Sequence, residues 1–396
     1  MIYAVATWKL NTVQALALAC LGAALGVWLR RRIRLLDRLE IPAPVAGGLV
    51  FAVAALVLRD RWLNVEVDSM LRDLLQVAFF TTIGMNASAR LVRQGGPQVL
   101  WLWGVATVGA ALQNLLGIGV ARAFGLNPLL GIVAGAVSLA GGPATALAFG
   151  PTFEKMGAAG ATTLGVAAAT FGITVSGLCA GFVGGWLIRR YRMRPSSAGA
   201  QRPVASGGDV SSLSLFRAVI LIGVSMGAGT LVGGAFERLG WILPAYIGSM
   251  LVAAALRQLD DRFGVFGIPD RAVAAVGATA LQIFIVMALV ALRLWELVHL
   301  AAPMLVLLAA QVVLTLAICV TLAWRAMGRS YEAAVMAGGF CGFMLGITAN
   351  AVASMSVLEE KYGAAPRAFI VVPLVGAFLI DFSNALIITA MANLFR

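Results

Sequence analysis

The chain has 396 residues, of which 61% are hydrophobic and 12% charged, with a mean hydropathy of +0.95. Soluble domains are about 45–50% apolar and about 25% charged, so a soluble fold would leave much of this apolar surface in water. The composition therefore excludes an ordinary soluble protein and indicates an integral membrane protein. The net charge of +12 does not indicate nucleic-acid binding, because the arginines are scattered between apolar runs, where such charges set topology.

Ten apolar runs are predicted to be membrane-crossing helices, since crossing about 30 Å of hydrocarbon needs roughly 20 apolar residues. In chain order they are 12–29, 41–58, 71–90, 98–122, 158–188, 214–235, 241–257, 271–293, 298–324 and 366–393. Two further apolar segments, 128–150 and 332–356, are rich in Gly, Ser and Thr. We expect these two to be broken or re-entrant helices within an all-α integral membrane protein.

The charges around the first apolar run predict the orientation of the chain. Run 12–29 is followed, not preceded, by arginines at 30, 31, 32 and 34, so its N-terminus is expected outside and it is not a cleaved signal. With ten crossings, both termini lie on the periplasmic side of a bacterial inner membrane. This topology leaves most of the 29 basic residues in the cytoplasm, as the positive-inside rule requires.

A polar linker divides the chain into two similar halves, 1–189 and 214–396, with the linker at 190–213. Ile-Pro-Ala-Pro at 41–44 is matched by Leu-Pro-Ala-Tyr at 243–246, and Glu-Lys-Met-Gly-Ala-Ala at 154–159 by Glu-Lys-Tyr-Gly-Ala-Ala at 360–365. The order and near-constant offset favour an internal repeat. Because each repeat has five crossings, an odd number, the second copy must be inverted. Inverted repeats with interrupted helices are typical of secondary transporters.

The first interrupted segment contains the tripeptide Gly141-Gly142-Pro143. A helix does not continue through paired glycines followed by proline, so the chain is predicted to turn there at membrane depth. The exposed backbone needs a polar partner: amides at a helix start suit a carboxylate, and free carbonyl oxygens suit a sodium ion. The alternative is close helix packing, because Gly131 and Gly135 form a G-x-x-x-G motif.

The second interrupted segment repeats this pattern near Gly346, and it adds the side-chain oxygens of Thr348 and Asn350. The first segment offers the hydroxyls of Ser138 and Thr145 in the corresponding region. Two such segments that enter from opposite faces would meet near the midplane. We therefore predict a substrate site built from both.

Asp381 is the one acidic residue well inside a predicted crossing, and Asn384 follows one turn later. A carboxylate at this depth costs several kcal/mol unless it is paired or binds a cation. No basic residue lies at similar depth, so a cation is the expected partner; for the substrate carboxylates, Arg90, at the end of its own helix, is the nearest arginine. Asp381 is thus predicted to bind sodium or a proton. The alternative is a structural carboxylate that accepts hydrogen bonds from a neighbouring Ser or Thr.

Two other classes of membrane protein fit the sequence less well. A channel needs a continuous polar pore, which a single mid-membrane charge does not provide. An enzyme needs a nucleophile, a base or a metal cluster, and this chain has one histidine, His299, and four widely spaced cysteines. We therefore expect no enzyme activity and no transition metal.

At the same segments the sequence resembles the bacterial sodium/glutamate symporter family, over nearly the whole chain. The residues that carry the resemblance are Leu-Glu-Ile-Pro-Ala-Pro-Val-Ala-Gly-Gly at 39–48, Phe-Phe-Thr-Thr-Ile-Gly at 79–84, Ser-Leu-Ala-Gly-Gly at 138–142, Ala-Ala-Ala-Thr-Phe-Gly at 167–172, Gly-Phe-Cys-Gly-Phe at 339–343, Leu-Gly at 345–346 and Val-Pro-Leu-Val-Gly-Ala-Phe at 372–378. Jointly these motifs are specific.

The resemblance implies a homodimer in the lipid bilayer that imports L-glutamate with sodium, by moving one region against a fixed scaffold as an elevator does. Together with the residue patterns, it gives a predicted site. The predicted substrate ligands are Ser138, Gly141, Gly142, Thr145, Thr348 and Asn350, and the predicted sodium ligands are Asp381, Asn384, Gly141 and Gly346.

The sequence departs from the family pattern at the first interruption. Family members usually read Gly-Gly-His-Gly-Thr where this chain has Gly-Gly-Pro-Ala-Thr at 141–145. Proline has neither a side-chain donor nor a backbone N–H, so two contacts to an anion are lost. The second segment also has Gly-Ile-Thr-Ala-Asn at 346–350 where members more often carry Ala-Thr-Pro after the glycine. The alternative prediction is therefore a sodium- or proton-coupled transporter of another small carboxylate.

Overall fold

The computed structural model describes residues 7–38, 41–59, 62, 64–90, 96–195, 210–239, 244, 246–292 and 301–395. Most of the predicted linker and His299 lie outside the described residues, as do Leu39 and Glu40 of the first family motif and Leu243 and Ala245 of the repeat motif. The described chain is mostly helical, and the helices run in chain order through both halves.

The first half begins with a short strand and ends with the longest helix of the described chain. Its elements are β1 (Thr7–Leu10), α1 (Thr12–Arg32), α2 (Arg34–Arg38), α3 (Ala43–Leu58), β2 (Asn64–Val67), α4 (Met70–Asn86), α5 (Pro97–Ala123), α6 (Pro128–Ile132), a π-helical turn (Val133–Val137), α7 (Gly142–Lys155) and α8 (Ala161–Arg190). Helix α1 starts at a capping box in which Asn11 and Gln14 hydrogen-bond each other's backbone N–H.

The second half contains no strand among its described residues. Its elements are α9 (Ser212–Arg238), α10 (Tyr246–Phe263), α11 (Asp270–Val290), α12 (Ala301–Ile318), a π-helical turn (Cys319–Ala323), α13 (Trp324–Ala326), α14 (Tyr331–Leu345), α15 (Thr348–Tyr362), α16 (Ala368–Leu374), a π-helical turn (Val375–Leu379) and α17 (Ile380–Leu394).

Each of the ten apolar runs coincides with helix in the described residues, and seven helical stretches are long and apolar enough to cross a membrane. Helices α3 and α4 are shorter than 18 residues, and α10 is 18 residues long, with several charges in its second half. Ten crossings therefore remain a prediction. The purely helical prediction misses one feature: β1 and β2 pair in parallel, with Trp8 opposite Val65.

The helices form two groups that each pack mainly with their own members. The first group, which we call the framework, contains α1, α3, α4, α9, α10 and α11. The second group, which we call the carrier bundle, contains α5 to α8 and α12 to α17. Contacts between the groups are sparse, and they involve chiefly α7 against α11 and α17 against α4 and α10.

Glycines allow close helix contacts inside the framework. A side chain on Gly26 of α1 would bring its Cβ within 1.8 Å of the carbonyl oxygen of Ala43 on α3. A Cβ on Gly248 of α10 would come within 2.2 Å of the carbonyl oxygen of Gly229 on α9. In lipid, helices associate through such close packing, so the framework is a tightly packed unit beside the carrier bundle.

Candidate functional site

A cavity of about 850 Å³ lies between the framework and the carrier bundle. On the framework side it is lined by Arg30 of α1, by 42–44 at the start of α3, by Phe79 of α4 and by three residues of α11. On the carrier side it is lined by both interrupted segments and by Asp381. The sequence features predicted to carry the chemistry therefore share one space.

The first interruption lies at 138–141, close to the predicted turn. Gly135 leaves the helical conformation (φ −97°, ψ −128°), three residues form a turn, and α7 begins at Gly142. Gly142 has φ of +67°, a left-handed conformation that glycine adopts without strain. No side chain caps the first turn of α7. Pro143 and Ala144 in this turn line the cavity, so this tip presents backbone and apolar groups.

The second interruption lies between α14 and α15. Gly346 (φ −150°, ψ −121°) is non-helical, Ile347 (φ −129°, ψ 161°) is extended, and α15 begins at Thr348 without a side-chain cap. All five residues 346–350 line the cavity. The two tips approach each other, because a Cβ on Gly142 would lie 3.4 Å from Cγ2 of Ile347. Two uncapped helix starts, each carrying partial positive charge, therefore face the same space.

Asn350 is held by α8 in one orientation. Its Nδ2 donates to the carbonyl oxygen of Ile173 and to Oγ of Ser176, both at 2.7 Å. Its Oδ1 is buried and has no hydrogen-bond partner in the described chain, although the residue lines the cavity. A buried acceptor without a partner is costly, so this oxygen suits a cation or an ammonium group.

Asp381 and Asn384 stand on successive turns of α17 but have different surroundings. Asp381 is half-buried and lines the cavity, and among the described residues it has no hydrogen bond or ion pair. Asn384 is 1% exposed, and its Nδ2 donates to the carbonyl oxygen of Ala136 at 3.0 Å. Its Oδ1 has no partner in the described chain. Asp381 thus faces the cavity, whereas Asn384 holds the first interrupted segment.

Of the nine predicted site residues, five line the cavity: Gly141, Gly346, Thr348, Asn350 and Asp381. The other four lie behind its wall: Ser138, Gly142, Thr145 and Asn384. The hydroxyl of Ser138 donates to the carbonyl oxygen of Val133, so in this arrangement it does not donate a hydrogen bond to a molecule in the cavity. Thr145 is 5% exposed and packs against Gly141, where a Cβ would come within 2.5 Å of it.

The arginine at the cavity is Arg30, not Arg90. The backbone N–H of Arg90 donates to Asp261 at 3.1 Å, and Arg90 does not line the cavity. Arg30 stands in the last turn of α1 and is half-buried. The sequence showed only that Arg30 lies at a helix end. Its position at the cavity depends on contacts between distant parts of the chain, which sequence reasoning did not predict.

Several buried amides were missed by the sequence prediction. Gln113 and Asn114 on α5 and Gln311 on α12 are 0% exposed and lie inside the carrier bundle. The signal was present in the sequence, because a carboxamide inside an apolar crossing needs a hydrogen-bond partner. Which segments supply those partners depends on how the helices pack.

Comparison with known proteins gives the family. The model of the family described as sodium/glutamate symporter matches residues 8–364. A sodium/glutamate symporter of Escherichia coli (strain K12) is 38% identical over 392 residues, which cover 96% of this chain and 97% of the relative. One from Shigella flexneri matches to the same extent, and one from Haemophilus influenzae is 32% identical over 400 residues, which cover 96% of each chain. This chain therefore belongs to the sodium/glutamate symporter family.

Proposed function

We propose that the chain is a sodium-coupled secondary transporter that imports L-glutamate. The observation that carries this proposal is the cavity in which two uncapped helix starts and one carboxylate come together. The names of the relatives support both the coupling ion and the substrate. The expected cargo is thus a dicarboxylate with one ammonium group, moved together with sodium.

Sodium is expected to bind at the Asp381 carboxylate with carbonyl oxygens of Gly141 and Gly346, because hard cations prefer oxygen ligands. Asn384 is a further expected sodium ligand beside the first tip. Its Oδ1, which has no hydrogen-bond partner in the described chain, supports this role. Asp381 supplies the negative charge that a cation at this depth requires. Sodium bound there would draw the two tips together.

Glutamate is expected to bind next to the sodium ion. The first turns of α7 and α15 suit its carboxylates, and Thr348 adds a hydroxyl at the cavity wall. The Oδ1 of Asn350 suits the ammonium group, since Nδ2 of the same amide already donates to α8. Arg30 supplies positive charge on the opposite wall. Ser138, Gly142 and Thr145 support the first tip from behind.

The packing supports an inverted repeat with boundaries at 1–189 and 214–396, joined by the linker 190–213. Helix α1 packs on α3 as α9 packs on α10, and α4 packs on α10 as α11 packs on α3. The segments after both interruptions also end alike. In each half a glutamate near the end of this segment accepts a hydrogen bond from the backbone of the chain that follows: Glu154 from Thr162 at 2.9 Å, and Glu359, one residue before the counterpart of Glu154, from Ala365 at 3.3 Å.

We further propose that the carrier bundle moves against the framework in an elevator-like cycle. The sparse contacts between the two groups and the position of the cavity between them support this movement. The protein is expected to work as a homodimer in the inner membrane, with both termini in the periplasm. Dimer contacts through the framework would keep it fixed while the carrier bundle moves.

A second candidate is sodium- or proton-coupled transport of a different small carboxylate. Pro143 lines the cavity at the position where family members usually have histidine, so the first tip lacks a side-chain donor at this position. A cargo with fewer acceptors than glutamate would fit this wall better. The cavity itself is common to both candidates.

Reconstitution in proteoliposomes tests the proposal. Labelled L-glutamate should accumulate when an inward sodium gradient is imposed, and labelled sodium should enter only when glutamate is present. A proton gradient without sodium should give no accumulation. Uptake of a keto acid or aspartate in preference to glutamate would favour the second candidate. Accumulation of none of these cargoes under either gradient would refute transport of small carboxylates.

A further inference from the structure

Two adjacent amides on α5, Gln113 and Asn114, contact both interrupted segments. Both side chains are 0% exposed. Neighbouring residues on an α-helix point about 100° apart, so two such side chains reach different partners. In this chain one amide contacts the first interrupted segment and the other contacts the second.

Asn114 supports the first interrupted segment at its break. Its Oδ1 accepts a hydrogen bond from the backbone N–H of Ala136 at 3.0 Å, next to the non-helical Gly135. The carbonyl of Ala136 in turn accepts from Asn384 at 3.0 Å. Both polar groups of the residue after the kink are therefore held by side chains from two other helices.

Gln113 supports the second interrupted segment. Its Nε2 donates to the carbonyl oxygen of Met344 at 3.0 Å, two residues before Gly346, and to Oγ1 of Thr315 at 3.2 Å. The orientation of the amide follows from this contact, because the carbonyl oxygen of Met344 accepts only from a donor. The carbonyl group that would otherwise end α14 without a partner is thereby held by α5.

The backbone between the two amides also touches the first break. A Cβ on Gly135 would lie 2.9 Å from the carbonyl oxygen of Gln113, and that oxygen accepts from Nε2 of Gln311 at 2.7 Å. One turn of α5 is therefore in direct contact with both interrupted segments. A shift of either segment has to move this turn or break a buried hydrogen bond.

We propose that Gln113 and Asn114 are positioning residues that couple the two tips, so that ordering of one tip orders the other. The inference rests on the proposed function, in which sodium and glutamate bind across both tips. Neither amide lines the cavity, and each acts through the backbone that it holds. The pair thereby sets how strongly bound sodium raises the affinity for glutamate.

Hydrogen–deuterium exchange of the ligand-free protein tests the coupling without any assumption about transport. Asn114→Leu removes a contact to the first segment only, and Gln113→Leu removes the side-chain contacts to the second segment and to α12. Each variant should speed exchange by about five- to tenfold, the effect of one buried hydrogen bond, at 136–144 and also at 346–350. The control is Gln98→Leu on the same helix, which should leave both tips unchanged.

Two outcomes would overturn the proposal. One is faster exchange only at the tip that the substituted side chain touches, which would reduce each amide to a local support. The other is unchanged exchange at both tips. Since neither readout needs a ligand, the result stands even if the protein carries a cargo other than glutamate.

Binding measurements then connect the coupling to function. In wild type, saturating sodium should lower the Kd for glutamate, and by linkage glutamate should lower the Kd for sodium by the same factor. Asn114→Leu and Gln113→Leu should reduce this factor by about tenfold, the effect of a modest coupling free energy. A lower thermal midpoint with an unchanged factor would show a purely structural role. Absence of any sodium effect in wild type would instead contradict the proposed function.

Discussion

The two interrupted segments share a geometry but differ in the side chains that they present. The first tip lines the cavity with Ala140, Gly141, Pro143 and Ala144, none of which has a polar side chain. The second tip contributes Thr348 and Asn350. Both are supported from behind by buried amides. Both interruptions therefore have a break supported by buried amides, while only the second tip places polar side chains at the cavity.

This difference has a physical basis in the helix starts. A helix N-terminus offers free N–H groups whatever its side chains are, so the first tip can bind an anion through its backbone alone. Pro143 removes one of those N–H groups. Selectivity between similar carboxylates is then expected to depend on the second tip and on Asp381. The following substitutions test whether the two tips differ in this way.

The largest effect is expected from Asp381→Asn, because it removes the charge that we propose holds sodium between the two tips. Sodium-driven glutamate uptake should fall by roughly 100-fold or more, as expected for the loss of one partner of a buried charge pair. Initial uptake rates in proteoliposomes measure this. The matched control is Asp73→Asn, since the side chain of Asp73 is 55% exposed and forms an ion pair with Arg72 on the protein surface. Unchanged sodium-driven uptake by Asp381→Asn would remove this residue from the mechanism.

Asn350→Leu should come next, because it removes the second tip's unpartnered oxygen. The expected loss is about 10- to 100-fold in kcat/KM for glutamate, the range for hydrogen bonds to charged groups. The control Asn86→Leu changes the same residue type at the end of α4, outside the cavity lining, and should retain uptake. Equal losses in both variants would point to destabilisation of the fold.

Pro143→His tests whether the first tip can regain a recognition role. We expect the KM for glutamate to fall by about tenfold, because the change adds a side-chain donor and a backbone N–H beside a carboxylate. Pro143→Ala separates the two contributions, since it restores only the N–H. Competition among glutamate, aspartate and 2-oxoglutarate measures the change in preference. If neither variant alters the KM or the preference, the first tip takes no part in selectivity.

The smallest effect is expected from Ser176→Ala, which removes one of the two acceptors that orient the Asn350 amide. Ile173 still accepts at 2.7 Å, so the amide should remain largely in place, and the KM should rise by about threefold. Uptake kinetics over a range of glutamate concentrations measure it. A loss as large as that of Asn350→Leu would show that the Ser176 hydroxyl, and not the carbonyl of Ile173, fixes the Asn350 amide.

Sequence reasoning predicted where the helices and their interruptions lie. The tripeptide at 141–143 predicted a turn that the structure places at 138–141, and the isolated carboxylate Asp381 does line the cavity. These predictions depend on local rules: hydropathy sets the length of a crossing, and glycine with proline ends a helix. The pairing of β1 with β2 was missed because each strand has only four residues.

The roles of individual polar side chains needed the tertiary structure. Ser138 and Thr145 lie behind the cavity wall, and Arg30 takes the place considered for Arg90. Asn114 contacts a segment more than 20 residues away along the chain, and Gln113 contacts one more than 200 residues away. Composition, periodicity and breaks are properties of single segments, so the sequence by itself determined the class of protein, the helices and the two interruptions. In a membrane, lipid and protein interior are both apolar, so hydropathy does not tell which face of a helix meets a neighbour. Helix packing alone decided which side chains line the cavity and which support it.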